Sequence, residues 1–239
     1  MCTVYTEAAL KYIEKQRNKI RHKSLEFLKK NCKVPIIVFP KKKVFKYSIT
    51  NRDIREIGYN EGCVIAKTLR ENEDLNKKYN LKLFNMLSVF SSTKNNIKVC
   101  LEYLKYFCKA DMSKIGIVSI TNKNNLGITG IEPYLEYFYE YGIQKQNILI
   151  RKDVEEAFKA GNGDGYWKNN NEPNYKGSSF SIHVPLNECG DIRNYSQNKE
   201  WLEVAECGID KSNRFNDIGF GMERIELLFF GIPYPIVFV

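Results

Sequence analysis

The chain has 239 residues, 43% of them hydrophobic, which suits one large domain with an ample core spanning residues 1–239. Its formal charge of +9 comes from lysines interspersed with acidic residues and asparagines, a bias of the whole chain more than a basic stripe for nucleic acid. No segment reaches about 18 apolar residues and the N-terminus lacks an apolar core of signal-peptide length, which argues against a membrane span or secretion.

Seven cysteines are odd in number and scattered, with no Cys-x-x-Cys pair. Only His22 and His183 are present to complete a metal site, so zinc is not expected; reduced thiols in a cytoplasmic protein are.

In chain order, residues 7–30 carry apolar side chains at helical spacing among many charges and predict one or two amphipathic helices that act as a lid or packing element. The run from Val34 to Pro40 is β-branched and bracketed by prolines, hence a short extended segment, and Val44–Ile49 is a candidate strand. Asn51–Tyr59 reads as a short helix or loop. Gly62–Arg70 reads as a strand that delivers an Arg at its end. Ten polar residues, Glu71–Asn80, then lead to Leu81–Phe90, together predicting an antiparallel hairpin with a long mobile tip.

Residues 95–110 have helical spacing, and Ile115–Ile120 is apolar and β-branched, a strand. Pro133–Tyr141 is an aromatic helix capped by Gly142, and Asn147–Ile150 suits a short strand. Ala160–Asn171 holds three glycines and many turn formers, a loop in which Trp167 is either a surface anchor or one wall of a pocket. From Ser178 the chain alternates, with Phe180, Ile182 and Val184 on one face and Ser181 and His183 on the other: a half-buried strand. A polar hairpin around Asp191–Lys199 precedes a strand at Trp201–Ala205 that sets Glu203 opposite Leu202 and Val204. Successive hairpins predict an α+β protein with an antiparallel sheet flanked by helices.

Asn216-Asp217-Ile218-Gly219-Phe220-Gly221-Met222-Glu223-Arg224-Ile225 follows. Glycines at 219 and 221 let backbone pass close to a flat ligand, and an Arg at the start of the next helix can stack on a base or reach a phosphate. The plainer alternative is a strand ending in a Gly turn before an ordinary helix, with Glu223 and Arg224 solvated.

These motifs are collinear with those of class II aminoacyl-tRNA synthetases, and the catalytic domain of the alanyl enzymes is the closest likeness. Ile20–Lys30 resembles their opening helix, and Leu69-Arg70-Glu71-Asn72 resembles Ile-Arg-Thr-Asn of motif 2. Leu83–Ser91 is similar to Phe-Phe-Glu-Met-Leu-Gly-Asn-Phe-Ser, Asp164-Gly165-Tyr166-Trp167 to Asp-Asn-Phe-Trp, and the Gly-x-Gly-x-Glu-Arg stretch to motif 3. Trp201–Val204 followed by Cys207-Gly208 also resembles the α chain of the phenylalanyl enzyme. Departures occur where Tyr79-Asn80-Leu81 replaces a basic or His-containing closure of the motif 2 loop, where Asn85 replaces a Glu, and where Glu206 replaces an Asn near the amino acid.

The resemblance implies ATP-dependent amino-acid activation with ATP and Mg²⁺ as cofactors. It places Arg70 on the α-phosphate and Arg224 over the adenine or on the γ-phosphate. Asn72, Phe84, Gly219 and Gly221 would line the ATP site, Glu203 would hold Mg²⁺, and Trp167, Glu206 and Asp217 would surround the amino acid. Plainer alternatives pair Arg70 with Glu203, let Asp217 cap a turn and bury Trp167 in the core; neither His22 nor His183 is placed in the site. Since little sequence follows motif 3, the expectation is that no tRNA-recognition, editing or oligomerisation region is attached. The acceptor is then a small amine or a carrier protein, tRNA is the alternative, and the chain is a monomer or homodimer. A non-catalytic paralogue that senses amino acids or binds RNA is the competing class.

Overall fold

The computed structural model describes residues 6–41, 43–71, 79–91, 96–124, 127–152, 155, 165–168, 176–186, 191–194, 200–209 and 218–234. Within them the class is α+β, built on a sheet of β1 (Val44–Lys46), β2 (Gly62–Leu69), β3 (Leu83–Phe90), β4 (Gly116–Ile120), β5 (Ile148–Arg151), β6 (Tyr166–Lys168), β7 (Lys176–Pro185), β8 (Trp201–Gly208) and β9 (Ile218–Gly221). The helices are α1 (Glu7–Asn31), α2 (Asn51–Arg55), α3 (Asn96–Glu102), α4 (Leu135–Tyr141) and α5 (Met222–Phe230). The strand order is β1-β2-β3-β9-β8-β7-β4-β5, and β6 pairs with β7.

Every neighbour from β2 across to β4 is antiparallel. At the two ends β1 runs parallel to β2 and β5 parallel to β4, so the sheet is mixed and the antiparallel expectation is corrected. The cause is the connection: α2 lies between β1 and β2 and α4 between β4 and β5, and a crossover through a helix returns the chain in the same direction.

Local chemistry explains most boundaries. Thr6 caps α1 by accepting from the Ala9 N–H at 3.2 Å, and α1 continues as a single helix. Thr50 and Asp53 form a capping box that starts α2. Pro35 has no N–H to give a ladder, so the predicted extended segment meets the sheet only through an isolated bridge between Ile36 and Cys63. Tyr47 turns to φ 67° and ends β1 short of Ile49. Gly142, at φ 99°, caps α4 as expected. Residues 103–107 leave α3 as a π turn. Tyr166–Lys168, expected in a loop, forms β6 because their backbone pairs with Lys176–Ser178.

Ile54 of α2 packs with Val64 and Phe90 from one face of the sheet, while the other face carries α1, α3, α4 and α5. Leu87, Val89, Phe180, Ile182, Cys207, Ile218 and Phe220 bury there with Leu28 of α1, Leu101 of α3 and Ile225 of α5, and the Tyr103 and Phe220 rings lie 4.8 Å apart. β7 departs from its half-buried reading, since Ser179, Ser181 and His183 are buried as well. Some of their polar groups are served internally: Ser119 Oγ donates to the Ser179 carbonyl at 2.6 Å, and His183 Nε2 lies 3.0 Å from Ser181 Oγ. No helix among the described residues is long and apolar enough to cross a membrane.

Candidate functional site

Opposite the face that carries α1, α3 and α5, a cleft of about 800 Å³, open mouth included, lies over β3, β9 and β8. Phe84 and Met86 from β3, Gly219 and Gly221 from β9, and Glu203 and Glu206 from β8 line it, with Arg70 and Arg224 at its margin. The structure therefore brings together seven of the ten residues singled out from the sequence. Asn72 and Asp217 lie outside the described residues, and of Trp167 only the backbone is described, paired with Gly177.

Glu203 and Glu206 share the cleft because of an irregularity. Ile182 faces Ala205 but His183 faces Glu203, leaving Val204 as an extra residue on β8. Strict alternation would send residues three apart to opposite faces; the bulge turns both carboxylates the same way. Ser179 Oγ donates to Glu206 Oε1 at 2.7 Å and fixes that carboxylate against β7.

Arg224 leaves the first turn of α5 and crosses the cleft wall. Its Nη1 donates to the Glu203 carbonyl at 2.8 Å. Nε and Nη2 fork onto the Tyr79 carbonyl at 3.4 and 3.3 Å, and Nη2 also reaches Asn80 Oδ1 at 3.3 Å. All of these acceptors are neutral, so the guanidinium keeps its full charge for an incoming anion. Arg17 and Arg21 of α1 behave differently: Arg21 Nε meets Glu226 at 2.7 Å, Arg17 Nε meets the same carboxylate at 3.4 Å, and Arg21 Nη2 meets Glu223 at 3.4 Å. Glu223 is 5% exposed and also accepts from Asn85 N at 3.0 Å and Asn85 Nδ2 at 2.7 Å, which excludes the solvated alternative for this residue.

Arg70 follows β2, where its N–H donates to the Lys82 carbonyl at 2.8 Å, and its guanidinium lies 5.1 Å from the Phe84 ring centroid. Behind Arg224, His183 is buried. Burial first, then the positive charges of Arg224 and Arg151, push its pKa down to about 3, so it stays neutral beside the arginine.

Gly221 carries information by what surrounds it. A Cβ built there meets only the Arg224 side chain, at 3.6 Å or more, on an ordinary backbone at φ −75°. At Gly130, by contrast, a Cβ would lie 2.2 Å from the Asn122 nitrogen. The fold requires glycine at 130 and does not require it at 221, where the bare backbone opens onto the cleft.

Sequence reasoning passed over Tyr79, Tyr234, Ser179 and Met86 as cleft residues. Tyr79 had a signal, since it stands where the loop closure departs from the synthetase pattern; Tyr234 had none. The described cysteines are poor candidates for thiol chemistry: burial pushes the Cys32 and Cys63 thiols up to about 12.

No protein-family model matches this chain, and no curated protein is significantly similar to it. The site must be read from its chemistry.

Proposed function

We propose that the cleft binds ATP and an amino acid and forms an aminoacyl adenylate. A carboxylate oxygen of the amino acid attacks the α-phosphorus, a new P–O bond forms, the bond from the α-phosphorus to the bridging oxygen breaks, and pyrophosphate leaves. Catalysis of this kind rests on alignment and charge stabilisation and needs no protein nucleophile.

The single observation that carries the reading is Arg224: a half-buried guanidinium held by neutral oxygens, beside glycine backbone that the fold itself leaves open. Phe84 and Arg224 offer planar surfaces for a base, and Arg70 supplies a second permanent charge for the α-phosphate. Glu203 and Glu206 add two acidic side chains to the cleft lining, which suits the ammonium of an amino acid. Magnesium is usually held by one or two carboxylates together with substrate phosphates, and Glu203 fits the carboxylate part; bound there, the ion would offset phosphate charge. The order of motifs shared with class II synthetases supports the same assignment of residues. For the acceptor we propose a small amine or carrier protein, with tRNA as the alternative.

The test is amino-acid-dependent exchange of labelled pyrophosphate into ATP across the amino acids. Exchange with one amino acid or a narrow set supports the proposal. ATP binding without exchange for any amino acid would move the chain to the class of non-catalytic nucleotide binders.

A further inference from the structure

We propose that Tyr234 is a positioning residue for Arg224, acting through the backbone carbonyl of Tyr79. The functional part of this role rests on the nucleotide reading above; the hold itself does not.

The Tyr79 carbonyl is the point where three donors converge. Tyr234 Oη donates to it at 2.6 Å, much closer than the forked Arg224 Nε and Nη2 at 3.4 and 3.3 Å. A carbonyl oxygen has two lone pairs, so a short hydroxyl bond occupies one direction and the fork shares the other. Tyr79 also stands at φ 69°, a conformation that non-glycine residues keep only where the surroundings over-determine it. The Tyr234 ring supplies part of that determination, meeting the Tyr79 ring edge-on at 5.3 Å and 87°.

Tyr234 is in turn held from behind. Gly231 caps α5 at φ 64°, the Ile232 N–H returns to the Glu226 carbonyl at 3.0 Å, and Arg17 of α1 donates to the Pro233 carbonyl at 2.7 Å. A continuous path therefore runs from α1 through Arg17, Pro233, Tyr234 and the Tyr79 carbonyl to the guanidinium in the cleft. Its effect is to fix the orientation of Arg224, which a stacking contact needs and a simple charge contact does not. Where the resembling family closes this loop with a basic or His-containing segment, this chain uses a backbone carbonyl locked by a phenol.

The experiment is a double-mutant cycle on the full chain. ATP affinity is measured by calorimetry for wild type, Tyr234→Phe, Arg224→Ala and the double variant, together with amide hydrogen exchange of the ligand-free proteins over residues 79–81. Tyr234→Phe should weaken ATP binding about five- to tenfold in the wild-type background and change nothing further once Arg224 is gone, while exchange at 79–81 rises. Equal losses in both backgrounds, or faster exchange with unchanged ATP affinity, would overturn the positioning role while leaving the nucleotide reading intact. Wild-type protein that binds no ATP would overturn both, and exchange unaltered by Tyr234→Phe would overturn the hold as well.

Discussion

Arg224 and Tyr79 are joined through a backbone carbonyl, with Nε and Nη2 of the arginine both directed at the Tyr79 oxygen. The contact ties the first turn of α5 to the return of the polar loop between β2 and β3. It also leaves the arginine's charge uncompensated by any carboxylate it touches among the described residues, which is the electrostatic state an anion site requires.

Arg224→Ala should therefore weaken ATP binding strongly with little change in the folded spectrum. Arg224→Lys should recover little of it, because an ammonium cannot reach the Glu203 and Tyr79 carbonyls together or stack on a base. Calorimetric titration of ATP into the two variants checks this. Full rescue by Lys would reduce the role of Arg224 to charge alone.

Glu206→Gln keeps shape and removes one charge from the cleft lining. Amino-acid affinity in the exchange assay should fall by about 2 kcal/mol with ATP affinity nearly unchanged, as expected for loss of a charge-assisted contact. A parallel loss of both affinities would assign Glu206 to the fold.

The visible parts of this fold were those with a local cause. The β-branched run before Thr121 became β4, and the aromatic segment ahead of Gly142 became α4. The parallel end strands were not visible, since pairing partners far apart in sequence leave no mark on either strand's own pattern. Neither was the bulge at Val204, an apolar residue in an apolar strand, although it decides that Glu203 and Glu206 face the same ligand. The hold on Arg224 was hidden for a further reason: its main acceptors are main-chain carbonyls, which every residue carries.

The Asn85 side chain donates to the buried Glu223 at 2.7 Å. Asn85→Asp sets two carboxylates face to face, and urea denaturation should show a loss of about 2–3 kcal/mol. Asn85→Ala, which keeps the backbone bond, should cost only about 1 kcal/mol. An Asp variant no less stable than the Ala variant would contradict the assignment.

His183 predicts a pH dependence. Its folded pKa is lowered to about 3 by burial and by Arg224 and Arg151, below the unfolded value near 6.5, so the unfolded chain binds the extra proton. The associated stability is present above pH about 6.5 and declines progressively as pH falls toward about 3. Denaturation curves between pH 5 and 7 should show wild type losing stability on acidification more steeply than His183→Gln. Parallel slopes would mean that His183 takes up its proton in the folded protein as it does in the unfolded chain, contradicting the lowered pKa.

The most direct measurement of the central claim is a side-by-side calorimetric titration of ATP into wild type and Gly221→Ala. A methyl group at 221 meets only the Arg224 side chain at 3.6 Å or more, so the variant should melt at the wild-type temperature or slightly above. Its methyl would occupy the path along which a nucleotide approaches the backbone of β9, and ATP affinity should fall by about tenfold or more. Wild-type protein that binds ATP, with an equally stable variant that does not, is the result this account predicts. Equal ATP affinity in both, or no binding in either, would contradict it.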